Sequence, residues 1–599
     1  MSAEDKKSNA WTGSETANNS DLHLAGYIRY ISIGLLLLLI VSVIILAYVP
    51  PISRDALTHH LIVPRLYLQH GSIYEIPSIS FSYFPMNLDL LYLIPLYFGN
   101  DIAAKYIHFI FALLTAGLIF GYLKKKLSVE WGLFGALFFL SLPHIVKLSI
   151  TVYVDLGLVF FSTASLIGLL QWLESRFQLK YLILSAISCG LALGTKYNGL
   201  IVLFILTLFV PLIFIGNSKK GYSAKHPADK AGLIKIQIKA LGFGAVFFTL
   251  ALLVFSPWMI RNYVWKANPI YPLYKNVFNR QKVRPPNTQT EYQSIEAAVD
   301  LQQAPKVKST PWKSFAIRKV IYGESWWEIA LIPVRIFFQG QDDNPKYFDG
   351  KLNPFIFFLP FFAFMYMKDN PVYLRTEKKI FLSFAILFLL YAFSMAVIRI
   401  RYVAPIIPPL VILATLGLHQ ITRTVADRKA AQPARIGSGF LILMAVIILS
   451  LNAAYIWKQF HYVDPFSYIS GRVSRDAYIT KYRPEHSIHQ YVNRNLPDNI
   501  KILGLFLGNR LYYSQRDLRF GVKEFKKIVN RVDSEKSVLT ELRQRDYTHL
   551  IVRFDLFNQW TNKQFDNSKK IILKTFFENH VNHILSKNGY GLFELRHIQ

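Results

Sequence analysis

Apolar residues fall along the chain in long unbroken runs, not in the short alternating stretches of half-buried strands or the one-sided stripes of soluble helices. A helix needs ~20 mostly apolar residues to cross ~30 Å of hydrocarbon. Eleven runs meet or approach that length, at about 27–49, 102–122, 131–149, 153–173, 179–195, 198–216, 240–260, 353–368, 380–397, 402–420 and 437–457. The run at 179–195 is short and holds Ser185, Ala186, Ser188 and Gly190. Such small residues let helices approach closely, so it is expected inside the bundle. Met86–Gly99 is shorter still and carries Asp89 and Pro95. It reads as a juxtamembrane helix along the interface, with Asp89 turned to the surface. The pattern predicts a polytopic α-helical membrane protein of about eleven spans, thirteen at most, with juxtamembrane helices on its outer face and a small α/β soluble domain at its C-terminal end.

Composition agrees. Charged residues make up 17% of the 599 and mean hydropathy is +0.28, against roughly 25% charge in soluble chains. Disorder throughout, a collagen-like chain and a disulfide-stapled fold are excluded, the last because Cys189 is the single cysteine. The net charge of +30 would suggest nucleic acid in a soluble protein. Here the basic residues sit mostly in loops between apolar runs, where topology and anionic lipid account for them, so no nucleic-acid partner is expected.

Lys124–Lys126, Arg176 with Lys180, the loop from Lys219 to Lys239, Arg375 with Lys378 and Lys379, and Arg423 to Arg435 all fall on one side when the N-terminus is cytoplasmic. An odd span count then puts the C-terminus outside, in a multi-pass cell (inner) membrane protein. Residues 1–26 read as a disordered cytoplasmic tail, 27–459 as the membrane-embedded catalytic region and 460–599 as an extracytoplasmic soluble domain. That last region carries 23 basic and 14 acidic residues and strand-like pieces at Ile500–Leu507 and His549–Phe554. The first run lacks a small-x-small cleavage site and is too long for a signal core, so it is an uncleaved anchor. No repeat of fixed period is visible.

The outer loops hold the residues that could do chemistry. Asp55 stands four residues before His59, on one helical face, where a carboxylate beside the bilayer needs a partner or a task. The alternative is an N-cap on the juxtamembrane helix. Asp155 lies at the outer end of an apolar run, with an ion pair to Lys147 or to a neighbouring helix as its plain structural explanation. On the same side come Lys196, Arg261, Arg399 and Arg401. Such cations bind phosphate oxygens, arginine through its fork and lysine as a point charge, or else snorkel to headgroups. There is no P-loop, dinucleotide fingerprint or zincin pair. His59 and His60 are adjacent, a poor spacing for two metal ligands, while an Asp55–His59 divalent-metal pair stays open and no cofactor is otherwise called for.

The order of these motifs resembles the GT-C superfamily of membrane glycosyltransferases, in its protein-mannosyltransferase and ArnT-like branch. The resemblance runs over about 27–460. It rests on Asp55 after the first span, a following amphipathic helix ending Pro64-Arg65-Leu66-Tyr67, the Phe84–Tyr92 segment, Tyr153-Val154-Asp155-Leu156, Pro257–Asn262 and Arg401–Pro408. It implies a polyprenyl-phosphate sugar donor, transfer on the outer face and catalysis centred on Asp55. Two departures stand out. Ala56 occupies the place where many relatives carry a second acid, and Phe84, not a basic residue, precedes Pro85.

For such a reaction a carboxylate must take the proton of an acceptor hydroxyl, and Asp55 is the expected base, with Asp155 holding the acceptor or the geometry. The leaving phosphate needs fixed cations, here Lys196, Arg261 and Arg401, with Arg399 and His59 as further contacts. One displacement would invert the anomeric centre. The partners expected are the lipid-linked donor, membrane lipids, and a lipid, glycan or protein acceptor. The competing classes are a lipid-linked glycan flippase or exporter and a non-catalytic envelope assembly factor.

Overall fold

The computed structural model describes residues 19–225, 230–278, 313–365, 372–392, 398–427 and 433–597. Most of the tail expected to be disordered (1–18), and Arg428 and Lys429, lie outside them.

Eleven helices build the first half: α1 (Asn19–Ala47), α2 (Ile62–His70), α3 (Asn87–Leu91), α4 (Leu93–Tyr97), α5 (Ala103–Lys126), α6 (Val129–Ser141), α7 (Pro143–Ser149), α8 (Asp155–Glu174), α9 (Leu179–Thr195), α10 (Gly199–Lys225) and α11 (Lys230–Lys266). Helices Phe355–Phe362, Val372–Ala392, Ile407–Asp427 and Pro433–Val463 complete the bundle. Among the described residues, seven helices are long and apolar enough to cross a membrane, eight if α6 and α7 are one span. The protein is a multi-pass membrane protein.

Several of the eleven expected runs take another form. The run at 131–149 is bent by 66° between α6 and α7, where Pro143 cannot continue the hydrogen-bond ladder. The run at 353–368 gives only the eight-residue helix Phe355–Phe362 among described residues. The run at 380–397 belongs to a helix that starts earlier, at Val372, with Arg375, Glu377, Lys378 and Lys379 in its opening turns.

The small residues of α9 act as expected. Ser185 Oγ donates to Ser165 O at 2.6 Å and Ser165 Oγ to Ser185 O at 2.8 Å, joining α8 and α9. A Cβ on Gly190 would stand 2.6 Å from Ala251 O of α11. At the far end of α5 and α8, Lys125 donates to Glu174 at 2.6 Å and Lys126 to Glu377 at 2.8 Å. The lysine cluster and the start of the 372–392 helix therefore share one end of the bundle, opposite to the start of α8.

Met86–Gly99 forms two five-residue helices, α3 and α4. Asp89 is not on the surface: it is 2% exposed, and His60 Nδ1 stands 2.6 Å from its Oδ1. A carboxylate in an apolar segment is stable there only with such a partner, which outweighs the interfacial periodicity.

At the C-terminal end five strands, β1 (Lys501–Leu505), β2 (Asp517–Phe520), β3 (His549–Arg553), β4 (Val581–Lys587) and β5 (Tyr590–Leu595), make one sheet in the order β2-β1-β3-β5-β4. β2, β1 and β3 are parallel, and β4 and β5 close an antiparallel edge. Alternate residues of β1 serve opposite faces. Leu503 and Leu505 pack with the apolar sides of helices 522–531 and 535–543, and Ile502 with helix 486–495.

Candidate active site

α1 ends at Ala47, Pro50-Pro51 follow outside it, and the chain re-enters a helix at Arg54. Ala56–His60 then form a π-helical turn, closed by Leu61 N donating to Ala56 O at 2.9 Å. Such turns carry one extra residue per cycle and recur at functional sites. Asp55 makes no capping hydrogen bond. Its Oδ2 instead accepts from Arg401 Nη1 at 2.5 Å, an ion pair 346 positions apart in sequence. Burial alone would raise the Asp55 carboxyl. The Arg401 guanidinium, helped by His59 and Arg399, holds it well below the usual carboxylate range.

Arg401 sits in a tight turn, Ile400–Tyr402, ahead of helix Ile407–Asp427. Its guanidinium lies 5.1 Å from the Tyr153 ring centroid and 5.2 Å from that of Tyr402, and its buried Nε has no hydrogen-bond partner among the described residues. Lys196 follows the last turn of α9; its Nζ reaches Asp155 Oδ1 at 2.6 Å and lies 5.2 Å from the Tyr402 centroid. Asp155 opens α8 and is 1% exposed. Its partner is thus Lys196 and not Lys147, which lies 3.2 Å from Asp342 and 3.4 Å from Asp349.

A cavity of about 210 Å³ gathers Asp55, His59, His60, Asp89, Lys196 and Arg401 on its wall. Asp155 stands behind Lys196, while Val154 and Thr195 line the space. Arg261 is one layer back: its Nη2 donates to the carbonyl of Phe84, a wall residue, at 3.1 Å. It is held between Trp258 and Trp265, 4.5 and 4.9 Å from their centroids, and its buried Nη1 has no partner among the described residues. Arg399 turns the other way, to Asp349 at 3.5 Å. His59 stacks on Phe81 with centroids 4.3 Å apart, and its Nδ1 lies 2.9 Å from Thr58 Oγ1. Burial, then the neighbouring His60, keep the His59 ring below the ordinary histidine value.

Among the described residues, no group of three or more His, Cys, Asp or Glu is placed to hold a metal ion. Asp55 is already paired with Arg401, and it and His59 are two ligands at most, so this pair does not by itself make a metal site.

Sequence reasoning missed Asp89 with His60, and Asp349. The rule that marked Asp155, an acid inside an apolar stretch, applies equally to Asp89. Asp349 gave no such signal in its polar loop.

A many-helix bundle with a cation-lined cavity at one end, an acid just after the first long apolar helix and a small sheet domain beyond the last has counterparts of similar fold among solved membrane proteins. Residues 52–268 match the family model for dolichyl-phosphate-mannose-protein mannosyltransferase, a stretch that includes Asp55, Asp155, Lys196 and Arg261. The fold is similar to that of ArnT from Cupriavidus metallidurans bound to undecaprenyl phosphate, with TM-score 0.51 and 13% identity over 95% of this chain and 98% of that one. The apo state of ArnT gives TM-score 0.51 and 13% identity, over 96% and 98%. The Archaeoglobus fulgidus oligosaccharyltransferase tethered with an acceptor peptide gives TM-score 0.50 and 10% identity, over 94% and 74%. At these identities the likeness is one of fold. No curated protein matches the chain in sequence.

Proposed function

We propose that the chain transfers a sugar from a polyprenyl-phosphate donor to a hydroxyl acceptor on the outer face of the membrane, with inversion at the anomeric carbon. The observation that carries this is the Asp55–Arg401 pair on one cavity wall with Lys196, with Arg401 Nε left unpaired. Nη1 holds the carboxylate, and the free edge of the same fork suits a phosphate oxygen.

The acceptor oxygen forms a bond to the anomeric carbon as the carbon–oxygen bond to phosphate breaks. The proton of the acceptor hydroxyl passes to Asp55, and polyprenyl phosphate leaves with the electron pair as an anion, so no general acid is needed. A carboxylate held far below its usual range is a weak base. Donor phosphate competes for Arg401, loosens its hold on Asp55 and moves the carboxylate toward proton-accepting strength. Arg401 and Lys196 then offset charge growing on the leaving phosphate in a site that excludes bulk water. Asp155 fixes Lys196 for that role, and Arg261 braces the Phe84 wall. The single displacement inverts the anomer.

The outer-face assignment is supported by the lysine-rich ends at Lys124–Lys126 and Arg375–Lys379, which lie at the opposite end of the bundle from Asp55. Reporter fusions at Ser218 and at Gln599 are expected on opposite sides of the membrane, and the same side for both would contradict it. For the chemistry, purified protein in vesicles holding lipid-linked sugar and acceptor is expected to form a new glycosidic bond of inverted configuration, and Asp55→Asn to form none. Lipid-linked sugar crossing the bilayer without a new bond would identify a flippase instead.

A further inference from the structure

The π-helical turn brings His60 as well as His59 to the face that carries Asp55. With the bond from Leu61 N to Ala56 O spanning five residues, side chains five apart come together as those four apart do. Asp55, His59 and His60 accordingly all line the cavity. His60 also meets Asp89 of α3: Nδ1 stands 2.6 Å from Asp89 Oδ1, and the two residues are 7% and 2% exposed. A carboxylate only accepts, so Nδ1 carries the proton of this bond and the lone pair sits on Nε2. Nε2 makes no hydrogen bond among the described residues, and the ring borders the cavity.

The charges around the cavity set this dyad apart. Arg401 matches Asp55, and Lys196 matches Asp155. Asp89 has no lysine or arginine partner among the described residues, only His60. Around the ring stand Asp55 and His59 on its own turn, Tyr153 before α8 with centroids 5.8 Å apart, and His108 of α5 within electrostatic reach. Lys196 with Tyr197 and Arg401 with Tyr402 make up other parts of the same wall. While the imidazole is neutral, the acids Asp55, Asp89 and Asp155 outnumber the cations Arg401 and Lys196 by one. A proton on His60 balances the set, and the carboxylate on Nδ1 stabilises the ring that carries it. The proposed transfer releases a proton and adds a charge in one step. Its donor is a phosphodiester with one negative charge, and the departed lipid phosphate is a monoester whose second pKa is about 6.

We propose that His60, held by Asp89, is the second proton carrier of the reaction: Nε2 receives the acceptor's proton from Asp55 and delivers it to the departed polyprenyl phosphate. The inference rests on the proposed transferase reading and adds a catalytic residue to it. Asp55 takes the proton as the acceptor oxygen bonds to the anomeric carbon and the bond from that carbon to the phosphate oxygen breaks. The proton passes to Nε2, which returns the Asp55 carboxylate to Arg401 and leaves an imidazolium beside a phosphate with two negative charges. A phosphate oxygen then takes the proton, so the lipid phosphate departs with one negative charge, and Asp55 and His60 regain their starting forms. No oxidant or other reactant enters. Asp89 is a positioning residue, acting through the ring orientation and tautomer it fixes. The competing explanation is a buried pair that only stabilises the fold.

The first measurement needs neither the sugar nor the acceptor. Undecaprenyl phosphate is titrated into the full-length protein in detergent at about pH 7 and about pH 8.5, both above the ordinary histidine value of ~6.5. Binding that draws a proton onto His60 weakens by up to about tenfold per pH unit once free ring and free phosphate are both deprotonated, so wild-type affinity should fall by about tenfold or more. His60→Gln keeps a donor for Asp89 but takes no proton, and its affinity should change by less than about twofold, with Asp89→Asn in between. In the second measurement, envelope membranes from cells lacking the chain supply donor and acceptor. Well below their melting temperatures, both variants should lower the plateau rate by ~10²-fold or more while the half-saturating amount of membranes holds. A wild-type affinity that ignores pH, a pH dependence in His60→Gln equal to the wild type's, or plateau rates within about threefold of wild type in both variants would each overturn the inference. If His60→Gln does not fold, Asp89→Asn decides, and a wild-type rate and pH dependence in it would overturn the inference. Failure of the wild type to bind undecaprenyl phosphate at either pH would instead overturn the transferase reading, and the inference with it.

Discussion

Replacing Arg401 by lysine keeps a positive charge beside Asp55 and removes the planar fork. In the structure the fork holds Asp55 through Nη1 at 2.5 Å, lies 5.1 and 5.2 Å from two tyrosine centroids, and leaves Nε free. An ammonium group on a flexible stem can serve the carboxylate or the phosphate, but it cannot span both in one fixed plane. If Arg401 stabilises charge that grows only in the transition state, the loss should match that of one oxyanion-hole donor, about 2.7–4 kcal/mol or ~10²–10³ in kcat. Because that interaction is made in the transition state, kcat should fall with little change in KM for the donor. Turnover is measured at saturating lipid-linked donor. Near wild-type kcat for Arg401→Lys would mean that the residue only anchors headgroups, a task a point charge performs equally well. The role would then pass to Lys196, the other cation on the cavity wall.

In Lys196→Met the Asp155 carboxylate, 1% exposed, loses its ion partner; breaking such a pair costs about 3–5 kcal/mol, read as a lower melting temperature, and adding Asp155→Asn should recover much of it. The Asp55 carboxyl is depressed by Arg401 against the effect of burial, so it contributes stability above the unfolded value of ~3.9 that is lost as pH falls through the lower folded value. Transfer by the wild type should therefore show no acid limb from unliganded Asp55 between about pH 5 and 8, read in kcat/KM, whereas in Arg401→Gln burial goes largely unopposed and such a limb should move up into that window. Asp89→Ala leaves His60 without its buried partner at 2.6 Å and should lower stability by about 1–3 kcal/mol, measured by thermal unfolding of purified protein.

Much of the helical bundle was legible because bilayer thickness imposes run length, and the close packing of α9 was legible from its small residues. What failed followed from local chemistry. Pro143 broke a run that hydropathy alone reads as one span, and the charges from Arg375 to Lys379 belong to a helix that a purely apolar window enters too late. Asp155 and Lys196 stood out as charges beside apolar stretches, but sequence could not show that they meet each other, since 41 positions separate them. The Asp55–Arg401 pair is set by how the 340–350 loop packs on the turn before helix Ile407–Asp427, where Ile400 N donates to Phe348 O at 2.8 Å. No periodicity encodes that contact. The Leu511 and Tyr512 amides of the soluble domain donate to the Leu57 carbonyl at 3.2 Å, a contact hidden for the same reason, because backbone groups make it.

The central claim is that Asp55 removes the acceptor proton in a sugar transfer from a lipid phosphate. It is tested most directly by mass spectrometry of envelope lipids and glycans from cells with the wild-type chain, with none, and with Asp55→Asn at equal membrane abundance. The account predicts one envelope component lacking a single sugar in both the deletion and Asp55→Asn, with the corresponding polyprenyl-phosphate sugar accumulating. Full restoration of that sugar by Asp55→Asn would contradict it.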